Sequence, residues 1–428
     1  MTSSIDGAEA GAPRLDTIAL FAAISLFLSI VELVIPKPFP FFRLGLANLP
    51  LLIALTFFQT GEFLLLVMLK IFGQAIVAGT LFSYVFLFSA VGSVASGMIM
   101  LSLRRAYPRW VSLAGISVAG AFGSNCAQLL FAAWLIFGRS TRLIAPPFLL
   151  IGTISGILLG LTAGYILRRS RWLRGYFDSD SGIARGLRIS NREERAMERG
   201  NSGADLLLLW SGLIMIPPFI LQPDPVLKAV QTALFLLYGG LLGKRVKILP
   251  GVIIVVTVTA AAVLSPLGEV LLYAGSFPVT EGALFQGLTR GLNLVGMVYL
   301  SRCTISSRLK IPGKAGRLFY RVFFYFEELS SVRLEKSRSG GLMQAVREKL
   351  LNLDQRLLEW STGSGGAGEV GGASVKPAGV NDSGIAGEVG VAGGSGGGTE
   401  AKTRLIRPWL PPAMVLIQYG FFFLQKFG

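Results

Sequence analysis

Apolar runs of about membrane length decide what this chain can fold into. A helix crosses the ~30 Å hydrocarbon core of a bilayer with about 20 predominantly apolar residues. The sequence has eleven runs close to that length, at 16–35, 44–59, 62–80, 82–103, 111–138, 146–168, 204–221, 226–243, 249–267, 283–304 and 408–426. We therefore predict an all-α, polytopic membrane protein with about 11 transmembrane helices in two bundles, six in the first and about five in the second.

The composition excludes an ordinary soluble domain, because 52% of the residues are hydrophobic, only 15% are charged and the mean hydropathy is +0.61. The net charge is +16, but the basic residues lie at the ends of the apolar runs, as in membrane proteins, so we expect no nucleic-acid partner. Histidine is absent, and Cys126 and Cys303 lie inside apolar runs. We therefore expect packed thiols, with no metal site and no cofactor.

Changes in composition divide the chain into successive segments. Residues 361–402 are mostly Gly, Ala and Ser, a composition that buries too little apolar surface to fold, so we predict a disordered linker there. The predicted order is an N-terminal tail at 1–15, a six-helix module at 16–168, a cytoplasmic linker at 169–203, a second membrane module at 204–304, a basic cytoplasmic region at 305–360, the linker at 361–402 and a last membrane segment at 403–428.

The positions of Lys and Arg predict the orientation of these helices. The turn at 222–225 and the loop at 268–282 have neither residue, whereas alternate loops are rich in them, including Arg104, Arg105, Arg109, the arginines after Leu167, Lys244, Arg245 and Lys247. Cytoplasmic loops carry this excess. The N-terminus lacks the features of a cleaved signal peptide, so we expect its first apolar run to be retained. We predict a multi-pass protein of the cytoplasmic (inner) membrane with a cytoplasmic N-terminus.

A proline-rich hinge at 31–50 contains the first candidate site. Pro36, Pro38 and Pro40 are incompatible with a continuous helix, so the first helix must end near Ile35. An ionisable group such as Glu32, about one turn before that end, is costly unless it faces protein, water or a ligand. With N-in orientation the hinge lies on the outer face, where Glu32, Arg43 and Asn48 are candidates for binding a small polar substrate.

Two further polar pairs lie inside apolar runs. Lys70 and Gln74 are four residues apart, and Asn125 and Gln128 are three apart, so each pair shares a helix face. These residues extend the candidate substrate-binding set. The alternative is structural: an ion pair of Glu32 with Lys70 or Arg43, and interhelical amide hydrogen bonds for Gln74 and Gln128.

The first half resembles a known transporter family. The residues that carry the resemblance are Glu32-Leu-Val-Ile-Pro36, Pro38-Phe-Pro40, Arg43-Leu-Gly-Leu-Ala-Asn48 and the stretch from Gly120 to Leu129. They are similar to the Gx transporter family, also described as component I of heptaprenyl diphosphate synthase and related to the substrate-binding S components of energy-coupling-factor (ECF) transporters. This sequence has Ser124 where the family usually has histidine. Ala19 and Ala23 look like the Ala-x-x-x-Ala patch by which S components contact their membrane partner; the alternative is packing within the module.

The second half resembles the transmembrane T component of ECF transporters. The similarity is carried by Ser265–Glu269, Val279–Gly282, Gly287–Asn293 and Ser301–Thr304. Glu327, Glu328 and Arg338 look like the region that couples a T component to its ATPases, and the resemblance implies such a role here. The alternative for this basic region is an amphipathic helix lying on anionic lipid.

We do not expect the chain to be an enzyme, since it has neither a P-loop string nor the paired Asp clusters of a prenyltransferase. Three functions remain open. The first is a transport subunit that binds an unknown small substrate from outside and acts with separate cytoplasmic ATPase subunits. The second is a non-catalytic membrane component of an isoprenoid diphosphate synthase. The third is a secondary transporter driven by an ion gradient. In each case membrane lipid is an expected partner.

Overall fold

A computed structural model describes most of the membrane-embedded part of the chain. The described residues are 3–34, 45–137, 141–170, 173, 203–242, 244, 248–263, 269–274, 277–305, 313–331 and 410–427. Arg43, Arg338 and the linker predicted at 361–402 lie outside these ranges, as does most of the linker predicted at 169–203.

The helices of the first half lie on the predicted apolar runs, with two differences. The first helix begins at Ser3, inside the tail predicted at 1–15, and the span predicted at 44–59 contains only a 3-10 turn and a six-residue helix. The elements are α1 (Ser3–Val34), a short 3-10 turn (Leu46–Asn48) that leads into α2 (Leu49–Ala54), α3 (Thr60–Ala78), α4 (Tyr84–Arg104), α5 (Leu113–Ala132) with a π-helical continuation at Ala133–Phe137, and α6 (Thr141–Arg169). The start of α3 is fixed by Glu62, whose carboxylate accepts the Gln59 N–H at 2.9 Å. Gly79, with φ +62°, ends that helix in the left-handed conformation that favours glycine.

The second half is also mainly helical. Its helices are α7 (Gly203–Ile220), α8 (Pro225–Leu241), α9 (Leu249–Val263), α10 (Glu281–Thr304), α11 (Gly313–Ser331) and α12 (Leu410–Phe427). Helix α8 begins at Pro225, and its N-cap Asp224 accepts the Val226 N–H at 2.8 Å. Helix α10 packs against α8 and α9, and α12 packs against α7.

The prediction of an all-α chain misses a small hairpin. Strands β1 (Val270–Ala274) and β2 (Phe277–Thr280) pair antiparallel between α9 and α10, with an irregularity between Val270 and Leu272. This segment lies in the loop predicted at 268–282. The run Val-Leu-Leu-Tyr-Ala contains two residues that favour strands, Val270 and Tyr273, and is too short for a span.

Among the residues that the structure describes, five helices are long and apolar enough to cross a membrane, and all of them lie before residue 170. They are 15–32, 60–78, 84–104, 113–135 and 144–169. The apolar helices α7, α8, α9 and α12 are shorter. The chain is thus a membrane-embedded protein, and these five helices confirm part of the predicted eleven spans. The cytoplasmic N-terminus stays a prediction.

One contact between the halves disagrees with the predicted alternation of spans. The Phe82 N–H, in the turn between α3 and α4, donates to Ser301 Oγ near the end of α10 at 3.1 Å. Seven predicted spans, α4 to α10, separate these two segments along the chain, so strict alternation would place them on opposite faces. The contact requires that at least one of the seven does not cross. Helix α9 has 15 residues, about 22 Å, and is too short for a ~30 Å core.

Helix α11 connects the second half to the first. Its buried residues Val322, Tyr325 and Leu329 recur at helical spacing and belong to the same apolar core as Ile18 and Phe21 of α1. At one end of this contact, the Arg321 guanidinium lies 2.8 Å from the carboxylate of Asp16, which is only 4% exposed. The predicted basic cytoplasmic region therefore contains a helix that packs on the first bundle.

Candidate functional site

The candidate site is built around the junction between α1 and α2. Glu32 is 6% exposed, and its Oε2 accepts the backbone N–H of Leu46 at 3.0 Å. Gly45, with φ +74°, allows the chain to turn into the 3-10 segment immediately before this contact. Glu32 thus holds the far end of the predicted hinge against the end of α1, and its carboxylate is hydrogen-bonded to a backbone amide.

Lys70 joins three elements in the first bundle. It lies on α3, is 3% exposed, and its ammonium donates to Asn48 Oδ1 at the start of α2 and to Ser93 Oγ of α4, the second bond at 3.5 Å. A buried ammonium is costly unless hydrogen bonds satisfy it, so these acceptors explain how it is tolerated. Two of the predicted substrate-binding residues, Asn48 and Lys70, are therefore in direct contact. Ser93 was not predicted.

A small cavity lies beside this pair. It has a volume of about 30 Å³ and is lined by Gly45, Asn48, Met100, Ser117, Ala121, Ser155, Gly156 and Leu159. The Ser117 hydroxyl is buried and has no hydrogen-bond partner among the residues that the structure describes. Such a volume holds about two water molecules. Sites for drug-sized ligands need about 300–1000 Å³, so this cavity in its present form does not hold one.

Asn125 and Gln128 face different neighbours of α5. Asn125 Nδ2 donates to the Phe148 carbonyl of α6 at 3.3 Å and lies against Gly152, where a Cβ would come within 1.7 Å of it. Gln128 Nε2 donates to Ser124 Oγ at 3.1 Å and lies against Gly92 of α4. The Asn125 bond thus joins two helices, whereas the Gln128 bond stays within α5. Gln74 is half-buried on α3, one turn beyond Lys70.

The predicted module-contact residues are buried. Ala19 and Ala23 are 0% exposed, and they follow Asp16 by three and seven residues on the same face of α1. Because Asp16 pairs with Arg321, this face is directed toward α11. The predicted coupling residues Glu327 and Glu328 are exposed on α11, outside its buried stripe. The ion pair itself was not predicted, since its partners are more than 300 residues apart.

A second group of buried polar side chains, also not predicted, lies in the second half. Lys228 and Gln231 on α8 are 0% exposed, and Gln222 in the preceding turn is 1% exposed. Within the described part of the chain, the ammonium and both amides have no hydrogen-bond partner. The Lys228 Nζ lies 5.7 Å from the centre of the Phe219 ring. The spacing of Lys228 and Gln231 within an apolar run is the signal that would have identified them.

Two family models match parts of the chain. The model of heptaprenyl diphosphate synthase component I matches residues 21–166, and a domain of unknown function matches residues 205–307. The two matches lie on either side of the linker predicted at 169–203. No curated protein and no solved structure matches the chain. Component I is a non-catalytic subunit of that synthase, which agrees with the prediction that this chain is not itself an enzyme.

Proposed function

We propose that the chain is a membrane transport subunit. In this proposal the first bundle binds a small substrate from the outer face, and the second half couples it to separate ATPase subunits, as in an ECF transporter. The resemblance of both halves to ECF components suggests this function. The observation that carries it is the packing of α11 on α1, because a receptor module and a coupling module must be in contact to work together.

The polar cluster of the first bundle supports the substrate-binding part. Glu32, Asn48 and Lys70 bring an anion, an amide and a cation into a region where unpaired polar groups are expensive. In this conformation the Leu46 N–H satisfies Glu32, and Lys70 and Asn48 satisfy each other, beside a cavity of only about 30 Å³. Binding would require the hinge to move away from α1 and α3, which would release these groups to a ligand.

The exposed acids on α11 support the coupling part. Glu327 and Glu328 remain accessible after Val322, Tyr325 and Leu329 are buried against the first bundle. One helix thus presents an apolar stripe to the receptor-like module and charged groups to its surroundings. Such an arrangement is suited to transmit a movement from a soluble partner to α1.

The test is purification of the full chain from its native membrane in mild detergent, followed by native mass spectrometry. We expect co-purifying ATPase subunits, a bound small molecule, and nucleotide-dependent uptake in reconstituted vesicles. Glu32→Ala should abolish uptake while membrane insertion stays intact, and the same is expected for Arg43→Ala. Leu416→Ala, an exposed apolar position on α12, is the matched control. Normal uptake by both variants of the hinge would contradict the binding site.

A second candidate follows from the family match. The component I model covers residues 21–166, so the first bundle could act as a non-catalytic membrane subunit of an isoprenoid diphosphate synthase. In that case the same purification would recover a soluble prenyl synthase in place of ATPases. No nucleotide-dependent uptake would be observed, and a fragment comprising the first bundle alone would retain the synthase. That last outcome distinguishes this candidate from a two-module transporter.

A further inference from the structure

An open groove lies at one end of the first bundle, apart from the candidate site. It has a volume of about 1010 Å³ and runs between the first turn of α3 and the last turns of α4. Thr60 and Leu64 form one wall, while Met98, Leu101, Arg104 and Arg105 form the other. Ligand sites commonly have volumes of about 300–1000 Å³, so this groove has room for a lipid headgroup and the first part of its chains.

The two arginines make the upper part of the groove cationic. The Arg104 guanidinium donates to the Phe58 carbonyl at 2.5 Å, which fixes its position beside the groove. Arg105 is exposed at the end of α4. Glu62, on the first turn of α3, accepts the Gln59 N–H at 2.9 Å. Arginine is well suited to bind phosphate, because its planar fork donates two parallel hydrogen bonds.

The lower part of the groove is apolar and belongs to helices long enough to cross a membrane. Met98 is 52% exposed, and Leu64 and Leu101 are half-buried, so apolar side chains remain accessible directly below the arginines. Trp110, 80% exposed just beyond α4, has the position of an aromatic side chain at a membrane interface. The groove therefore changes from apolar to cationic where a phospholipid changes from acyl chain to phosphate.

From this arrangement we infer that the groove between α3 and α4 binds an anionic membrane phospholipid, with the phosphate held by Arg104 and Arg105 and the acyl chains against Leu64, Met98 and Leu101. Charge complementarity selects the anionic headgroup, and the apolar wall selects a lipid over a free phosphate. The inference does not depend on the proposed transport function.

The experiment is native mass spectrometry of the purified full chain, titrated with phosphatidylglycerol or with phosphatidylcholine of identical acyl chains. We expect phosphatidylglycerol to be retained about tenfold more tightly, because phosphatidylcholine carries a choline cation that offsets its phosphate and faces the two arginines. Arg105→Gln, which leaves Arg104 in place, should reduce this preference severalfold. Arg109→Gln is the matched control, because Arg109 is exposed at the same end, stacks on Trp110 and does not line the groove. Its lipid preference should be unchanged.

Two results would overturn the inference. Undiminished preference for phosphatidylglycerol in a folded Arg105→Gln protein would place the lipid elsewhere. The second result is that equimolar farnesyl diphosphate displaces phosphatidylglycerol from the parent chain and does not do so in Arg105→Gln. The groove would then be an isoprenoid diphosphate site. Because Arg105 is exposed, its substitution should leave the unfolding temperature in detergent unchanged, and that measurement confirms that the variant is folded.

Discussion

At the scale of single residues, Lys228 is the most unusual feature of the second half. Its ammonium is fully buried, and the polar atoms of Gln231 and Gln222 are buried near it along the chain. None of these groups has a hydrogen-bond partner within the described ranges. Contact with the Phe219 ring stabilises a cation by about 0.5–2 kcal/mol, less than the desolvation of an ammonium costs. We therefore expect Lys228 to lower the stability of the fold.

We predict that Lys228→Met stabilises the protein by about 1–3 kcal/mol, because it removes a buried charge and keeps most of the side-chain volume. Lys228→Arg, which retains the charge in a larger group, should be less stable than the parent chain. Denaturant unfolding in detergent, followed by tryptophan fluorescence, measures both. A loss of stability in Lys228→Met would mean that the ammonium is paired, for example with an ion that is transported.

The close approach of Asn125 to Gly152 gives a second prediction. A Cβ at position 152 would lie 1.7 Å from Asn125 Nδ2, so Gly152→Ala should cost about 1–3 kcal/mol of stability through overpacking. Asn125→Ala should relieve that clash, and the double variant should lose less than the sum of the single losses. Gly164→Ala, on the same helix with no atom within 4 Å of the added Cβ, is the control and should stabilise slightly. Additive losses would contradict the contact.

At the scale of secondary-structure elements, the sequence predicts where the helices lie but not what covers them. Helix α1 ends at Val34, next to the predicted end at Ile35, because Pro36 excludes a further turn. Helices α3 and α4 differ from their predicted bounds by at most two residues. These features depend on local apolar length and on proline, which a sequence shows directly. The hairpin at 270–280 was missed because its strands are short.

The candidate site is predictable to the same extent. Polar residues inside apolar runs were identified as candidates because burial makes them costly, and the structure places Asn48 and Lys70 in contact. Their partners could not be predicted: Ser93, the Leu46 amide and the α6 carbonyl that Asn125 contacts all depend on how helices pack. Arg321 and Asp16 show the same limit over a separation of 305 residues.

Lys244 shows how one side chain ends an element. Its ammonium donates to the carbonyls of Arg302, Cys303 and Ile305 at 2.8–2.9 Å, and so satisfies the C-terminus of α10. The sequence predicted this lysine only as part of a basic loop. Cations at helix C-termini also interact favourably with the helix dipole.

We predict that Lys244→Met costs about 2–4 kcal/mol of stability, because it leaves buried carbonyls without a donor. Hydrogen exchange should increase over the last turn of α10 first. Arg109→Met, which removes an exposed cation at a loop, is the control and should change stability by less than about 0.5 kcal/mol. Unchanged exchange at residues 300–305 in Lys244→Met would show that the cap contributes nothing.

At the scale of the whole molecule, contacts between the two halves are the central feature. Helix α11 packs along α1, and the turn between α3 and α4 meets the end of α10. The second contact limits the number of segments that cross the membrane. The short helix α9 is the candidate for a segment that does not cross. The first contact connects the region similar to a coupling module to the helix that leads into the candidate site. Movement of α11 would therefore reach Glu32 through α1, and α11 also contacts α3, which carries Lys70.

The ion pair between Asp16 and Arg321 tests this connection. Arg321→Asp should undock α11, because it removes a cation from a carboxylate that is 4% exposed and adds a second anion beside it. The loss of one partner of a buried pair costs about 3–5 kcal/mol, so we expect hydrogen exchange over residues 313–331 to increase by at least a hundredfold. Glu327→Arg, a charge reversal at an exposed position of the same helix, should leave that exchange unchanged.

The reciprocal variant separates the pair from general damage to the helix. Asp16→Arg alone should undock α11 as well, whereas Asp16→Arg combined with Arg321→Asp restores opposite charges and should recover much of the protection. If transport depends on this contact, nucleotide-dependent uptake should follow the same order among the variants. Protection in the double variant as low as in the worse single variant would show that the ion pair does not hold α11 on α1. Unchanged protection in both single variants would show instead that the apolar stripe of Val322, Tyr325 and Leu329 alone accounts for the docking.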